Sequence, residues 1–120
     1  MVVLGGGYIG VEMAQIMHAF GVKTTLLVRN KMLSGHCDQE LIPVLQTCME
    51  KLGMECRLGT PFTKVEKLES GMYRVHLKDG GHVDAEKVLA ALGRPPNIDP
   101  LKLENAGVAV KDGAVVVDEF

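Results

Sequence analysis

The sequence predicts an α/β fold: a Rossmann-like βαβ unit on a parallel sheet, with an antiparallel β-meander replacing a crossover helix. Three observations predict it. The apolar run Val2-Val3-Leu4 leads directly into Gly5-Gly6-Gly7-Tyr8-Ile9-Gly10 and then into a helix-patterned stretch. A second run rich in β-branched and aliphatic residues, at 23–28, follows that helix after Gly21 and completes strand, turn, helix, turn, strand. Between residues 63 and 85, three strand-like runs are divided by Ser70-Gly71 and Asp79-Gly80, the composition of hairpin turns.

The first element carries a Gly-x-Gly-x-x-Gly pattern. Alone such a pattern also makes ordinary loops. Between a strand and an amphipathic helix it has the order of a dinucleotide-binding turn. Gly5 lets the chain leave the strand tightly. Gly7, without a Cβ, leaves room for a pyrophosphate near the backbone amides, and Gly10 lets the new helix lie close to the strand. The open N–H groups and positive dipole end of that helix then suit a diphosphate.

Within the helix, Ile9, Met13, Ile16, Met17 and Phe20 recur at helical spacing and are expected to form its apolar face. Gly21 stops it as a C′ residue. His18, beside that face, reads as a surface or rim histidine rather than a ligand. Residues 29–37 are polar and irregular. Asp38 can cap a helix running to about Leu52, with Gly53 after it. Pro43 would fall at its fifth position and delete a backbone bond, so the helix either begins nearer Leu41 or is kinked. A short third strand is expected at 54–58. The meander follows at 63–68, 72–77 and 82–85. Residues 87–91 are apolar again and should rejoin the parallel sheet before Gly93-Arg94-Pro95-Pro96-Asn97. The C-terminal stretch holds a weak strand near 108–110 and a better one at 115–117.

Composition narrows the function classes. A chain of 120 residues with 47% hydrophobic content suits one packed α/β domain. With 4% aromatics, no Trp and a net charge of −2, neither base-stacking recognition nor a polyanionic partner is implied. No nucleic-acid or membrane partner is expected, since no apolar run approaches the ~18 residues of a span. Cys37, Cys48 and Cys56 have neither metal-ligand nor Cys-x-x-Cys spacing, so no metal is expected. They read as reduced thiols, mostly core or half-buried, in a cytoplasmic protein, an organellar parent being the alternative. The first strand starts at Met1, the chain stops in mid-strand, and no targeting segment opens it. Both ends therefore suggest a fragment of a larger protein.

The end of the second strand selects the nucleotide. An NAD or FAD site places Asp or Glu there to bond ribose hydroxyls. Here that position is Val28, and Arg29 follows. A guanidinium without a neighbouring carboxylate favours the 2′-phosphate of NADP, although a solvated Arg at a strand end has the same sequence. Lys31 and His36 either add to this positive charge or are solvated loop residues.

With these pieces in place, the chain resembles the NADPH domain of the flavoprotein disulfide reductases, the class I pyridine nucleotide-disulfide oxidoreductases, and is most similar to the glutathione reductase type. The resemblance covers 2–120 and is most specific at Gly7-Tyr8-Ile9-Gly10-Val11-Glu12, Leu27-Val28-Arg29 and Gly93-Arg94-Pro95-Pro96-Asn97. It implies residues 1–94 as an NADPH-binding domain and 95–120 as a segment leading back to an FAD domain. Gly6 and Ile9 would line the NADPH pyrophosphate and ribose, with Gly5, Gly7 and Gly10 shaping the cofactor-binding turn. Tyr8 would gate the nicotinamide side of the flavin. Glu12 would contact the nicotinamide amide and pair with a lysine of the FAD domain. Arg29 would hold the 2′-phosphate, and Gly93 would let the backbone pass close to the cofactor. No residue of this stretch is implied as catalytic, and the isolated chain is expected to be inactive.

Two departures stand out. The family places a second arginine where this chain has Gly35, and Gly10 replaces a frequent alanine. Protonated His36 is the candidate substitute for that arginine. The redox disulfide, the FAD-binding turn and the acid/base pair lie in other parts of such proteins. The remaining FAD and interface domains of a homodimeric parent are the expected partners, with FAD as second cofactor. Mercuric reductase, dihydrolipoamide dehydrogenase and NADH peroxidase share a similar domain, Val28 arguing against the last two. A non-enzymatic dinucleotide-binding module is the reading from another class.

Overall fold

A computed structural model describes residues 1–33 and 37–119 of the chain. Three strands, β1 (Val2–Leu4), β2 (Thr25–Leu27) and β3 (Glu55–Arg57), alternate with helices α1 (Tyr8–Ala19) and α2 (Leu41–Lys51). The meander is β4 (Phe62–Lys67), β5 (Tyr73–Leu77) and β6 (His82–Ala85), followed by β7 (Val88–Ala90). β7 pairs in parallel with β1, giving a parallel sheet of order β3-β2-β1-β7. The expected architecture is present, with β2, β3, β5 and β7 one to three residues shorter than their expected runs and β4 shifted by one residue.

Both faces of this sheet are covered at its centre, which explains why β1 and β2 are buried throughout rather than alternating, whereas β3 at the edge carries Glu55 and Arg57. Val3, Leu26 and Val28 pack with Val11 and Ala14 of α1 and with Ile42 and Met49 of α2. The intervening residues Val2, Leu4 and Leu27 point the other way, against Val75, Leu77 and Ala85 of the meander. Leu4, Leu26 and Leu27 are fully buried, each side chain contributing roughly 1.5–3 kcal/mol of burial. The meander thus fills the place of a crossover helix while leaving its outer face to Lys64, Glu66, Arg74 and Asp84.

The apolar face expected on α1 is not the face it buries. Ile9 is 52%, Ile16 45% and Phe20 82% exposed, whereas Gly10, Val11 and Ala14 are buried. The physical reason is proximity: a Cβ at Gly10 would overlap the carbonyl oxygen of Gly5. A helix lying this close to a strand presents small residues to it, and the larger ones are displaced outward. The C-terminus of α1 follows expectation. Gly21 at φ +82° donates to His18 O, and Val22 donates to Met17 O, the paired bonds of a Schellman cap.

His18 links the two helices. Its Nε2 lies 2.6 Å from the carbonyl oxygen of Leu52, just past α2, so Nε2–H donates there while Nδ1 is buried without a partner. The expected rim histidine is therefore a clamp. α2 begins at Leu41, resolving the position of Pro43 in favour of a late start. Asp38 does not cap the helix itself. Its carboxylate accepts the Glu40 N–H at 3.0 Å and its carbonyl accepts the Leu41 N–H, forming the turn that precedes the helix. Gly35 and His36, the position expected of a second arginine and its candidate substitute, lie outside the described residues.

Both meander turns share one design. Gly71 and Gly80, at φ +83° and +89°, donate to Leu68 O and Leu77 O, and Leu68 and Leu77 donate in turn to Met72 O and Gly81 O. After β7, two short 3-10 turns at Asp99–Leu101 and Leu103–Ala106 precede a small hairpin, β8 (Val110–Lys111) and β9 (Ala114–Val115). The 3-10 turns are unanticipated additions. The hairpin falls near the two expected strands and joins neither larger sheet.

Candidate nucleotide-binding site

The C-terminal ends of β1, β2 and β7 open into one crevice of about 650 Å³. Its floor is the glycine turn after β1, contributing Gly5, Gly6, Gly7, Tyr8 and Ile9. One wall follows β2, with Val28, Arg29, Asn30, Lys31 and Leu33. The other follows β7, with Ala91, Leu92, Gly93 and Arg94, and Phe62 reaches in from the start of β4. Open parallel sheets bind ligands at this edge, where the connections from adjacent strands diverge.

The glycines divide the work between packing and space. Gly5 adopts φ +112°, and a Cβ there would overlap the Ala91 carbonyl, so β1 and β7 meet too closely for any side chain. At Gly6 a Cβ would fall 2.5 Å from Val28 Cγ1 and 3.2 Å from the Met32 Cα. At Gly7 it would meet nothing within 4 Å. Gly7 is also the N-cap of α1 and supplies no side-chain hydrogen bond to the first turn. The mouth of the helix is therefore bare on the crevice side, the arrangement that accepts an anion.

The loop after β2 is tied down at several points. The Val28 carbonyl accepts the Thr60 N–H at 3.0 Å, and the Asn30 carbonyl accepts the Gly59 N–H at 3.1 Å. Leu33 N–H donates to Gly6 O at 2.6 Å, and the fully buried Met32 packs into the core. Arg29 and Lys31 project from a fixed path into solvent at the crevice wall. Among the described residues, Arg29, Lys31 and Arg94 form no ion pair, and the crevice lining includes no carboxylate.

Seven of the nine expected site residues line this crevice: Gly5, Gly6, Gly7, Tyr8, Ile9, Arg29 and Gly93. Gly10 is buried beneath the turn, where its role is packing. Glu12 is exposed on α1 and does not line the crevice. Sequence reasoning missed Asn30, Leu33, Phe62, Leu92 and Arg94 as lining residues. Arg94 had a usable signal, because it follows an apolar strand just as Arg29 does. Phe62 had none, because it comes from the meander.

The remaining polar chemistry lies elsewhere. Arg74 donates two bonds of 2.7 Å to Asp84, and His76 Nε2 lies 2.8 Å from Glu66. The Arg74 bonds hold the Asp84 carboxyl below its ordinary range, and the His76 bond does the same for Glu66. Cys37 and Cys56 are half-buried against the helix-side core, as expected of most of the three, and Cys48 is exposed. Burial, with help from Glu50 and Glu55, pushes the Cys56 thiol above its usual value. Among the described residues no three potential ligands converge on a metal position, and no helix is long and apolar enough to cross a membrane.

Residues 1–120 match the family described as pyridine nucleotide-disulphide oxidoreductase. Mycothione reductase of Mycobacterium tuberculosis is 36% identical over 120 residues, all of this chain and 26% of that protein. Glutathione reductase of Schizosaccharomyces pombe is 32% identical across 98% of this chain and 26% of its own. The solved structure of the HOCl-induced flavoprotein disulfide reductase RclA from Escherichia coli superposes with a TM-score of 0.85 at 32% identity, covering 98% of this chain and 27% of that one. The chain spans about a quarter of the length of each of these proteins. Its glycine turn, its meander in place of a crossover helix and its match along every residue place it in the pyridine nucleotide-disulphide oxidoreductase family.

Proposed function

We propose that residues 1–94 bind NADPH and hold its nicotinamide for hydride delivery to FAD, and that the whole protein reduces a disulfide, as a reductase of the glutathione reductase type does. The observation that carries this reading is the crevice wall after β2. Val28 occupies the position where an acid would bond a ribose, Arg29 and Lys31 follow it, and the lining includes no carboxylate. Such a wall repels nothing on a 2′-phosphate and offers it charge-assisted bonds. The bare mouth of α1 and the open space at Gly7 fit a pyrophosphate in the same crevice. When bound, NADPH supplies the hydride. The chain's own residues bind, orient and gate.

In this assignment Arg29 holds the 2′-phosphate, and Gly5, Gly6, Gly7 and Ile9 line the diphosphate and ribose. Tyr8 and Gly93 border the nicotinamide end, with Tyr8 as the gate. Glu12, outside the crevice, faces the FAD-bearing part of the protein, toward which residues 95–120 lead. FAD and the redox disulfide belong to other segments of a homodimeric enzyme, and the 120-residue chain alone does not turn over.

A second reading keeps the domain and changes the substrate. Mercuric reductase of Staphylococcus aureus is 32% identical, and dihydrolipoyl dehydrogenase of Thermus scotoductus 34%. Titration of the purified chain with NADPH and NADH tests the cofactor assignment. NADPH is expected to bind more tightly, and Arg29→Ala to remove most of that advantage. A preference for NADH would overturn it.

A further inference from the structure

We propose that the outer face of the meander holds a divalent transition-metal ion between the imidazoles of His76 and His82, with Glu66 orienting the first of them. The register of the hairpin brings the two rings together. His76 on β5 stands directly opposite His82 on β6. One step nearer the turn, Leu77 N–H donates to Gly81 O at 2.9 Å. Bonded and non-bonded pairs alternate along antiparallel strands, so His76 and His82 form a non-bonded pair, the kind whose side chains lie closest. Their Cβ atoms are then ~5 Å apart, within the span of two imidazoles that share one ion at ~2.1 Å from each nitrogen.

The nitrogens are available. His76 Nε2 lies 2.8 Å from a carboxylate oxygen of Glu66, so the neutral ring keeps its proton on Nε2 and presents a lone pair at Nδ1. A carboxylate on the far nitrogen is the usual support of a metal-bound histidine, because it fixes the tautomer and makes the ring more basic. His82 is exposed and, among the described residues, forms no ion pair. The cations beside the rings are already matched. Lys64, opposite His76 on β4, lies 3.4 Å from Glu66, and Arg74 donates two bonds to Asp84. Asp84 is within electrostatic reach of both rings, but Arg74 occupies its two oxygens, so it supplies no third ligand. The clamp therefore offers two protein nitrogens and leaves the other positions of the ion to water. Imidazoles suit Ni²⁺, Cu²⁺ and Zn²⁺, whereas Mg²⁺ and Ca²⁺ call for oxygen ligands. An ion held here ties β5 to β6, whose inner residues Val75 and Ala85 pack under the parallel sheet.

The test is calorimetric titration of the 120-residue chain with Ni²⁺ at neutral pH, beside His76→Gln, His82→Gln, the double variant and Glu66→Ala. One ion per chain is expected. Either histidine variant should weaken it by about 10-fold or more, and the double variant little further, because one loss already breaks the chelate. Glu66→Ala should weaken it by about 10-fold. Imidazole ¹⁵N signals locate the ion: those of His76 and His82 should respond together, and Glu66→Ala should lose the fixed His76 tautomer. A histidine variant that binds Ni²⁺ as the parent does, or a response at His18 or His36 in place of the pair, would overturn the proposal. A Glu66→Ala chain that binds unchanged would strike out the orienting role. Without metal all variants should melt within a few degrees of the parent, since these side chains lie on the solvent face. Added Ni²⁺ should raise the melting temperature of the parent and leave that of the double variant in place.

Discussion

Replacing two glycines of one turn by alanine should give opposite results, and the contrast isolates packing from binding. At Gly5 the backbone lies at φ +112° and a methyl group would overlap the Ala91 carbonyl oxygen. An L-residue forced into positive φ costs ~1–2 kcal/mol, and pushing β1 from β7 to admit the methyl costs a further ~1–3 kcal/mol. The sum, about 3 kcal/mol, corresponds to a melting temperature roughly 10 °C lower for a domain of this size. At Gly7 the conformation is ordinary, φ −77° and ψ 179°, and a methyl meets nothing within 4 Å. Alanine there reduces the freedom of the unfolded chain, worth ~0.4–1 kcal/mol, and gives up a comparable N-cap preference for glycine, so the melting temperature should move by less than about 3 °C. The methyl nevertheless stands in the space assigned to the diphosphate, and NADPH affinity should fall by about 10-fold or more. Thermal melts followed by circular dichroism, with nucleotide titration, read both quantities. A Gly7→Ala chain that melts as low as Gly5→Ala, or one that binds NADPH unchanged, would refute the reasoning.

Met32→Ala removes a fully buried side chain beneath the loop after β2 and should cost ~2–5 kcal/mol in urea unfolding, along with part of the discrimination between NADPH and NADH. Acid should weaken the fold through the meander face. The folded-state values of Asp84 and Glu66 lie below their ordinary ones, so the stability they contribute is present above those ordinary values and is lost as pH falls through the lowered ones. A melting series from pH 6 down to about 3 should therefore decline, and Arg74→Met should flatten part of the decline. Among the cysteines, exposed Cys48 should be alkylated first and Cys56, with its raised thiol, last among the described sites, as read by peptide mass after timed iodoacetamide treatment.

The parts of this fold that were legible in the sequence are those fixed by neighbours along the chain. The glycine turn, the hairpin glycines at 71 and 80, the apolar strands and the Arg29 position all depend on a few consecutive residues. The buried face of α1 was not legible. Its larger apolar residues fall on one stripe, but the close approach to β1 selects Gly10 and Ala14 for contact and leaves Ile16 and Phe20 outside. Hydrophobic periodicity reports where apolar residues lie, not which side a neighbour's distance will favour. The 3-10 turns at 99–106 escaped because they are too short for any periodicity, being set by Pro100 and by left-handed backbone at Lys102 and Gly107. In the site, Phe62 and Arg94 were missed because four separate chain segments meet at one opening.

The stretch from Val28 to Leu33 is held by its own backbone and by Met32, not by Arg29 or Lys31. On the proposed reading, coenzyme choice is consequently written in side chains mounted on an independent frame. Exchanging one nicotinamide nucleotide for the other would ask for new residues at positions 28, 29 and 31, while the course of the polypeptide stayed as it is.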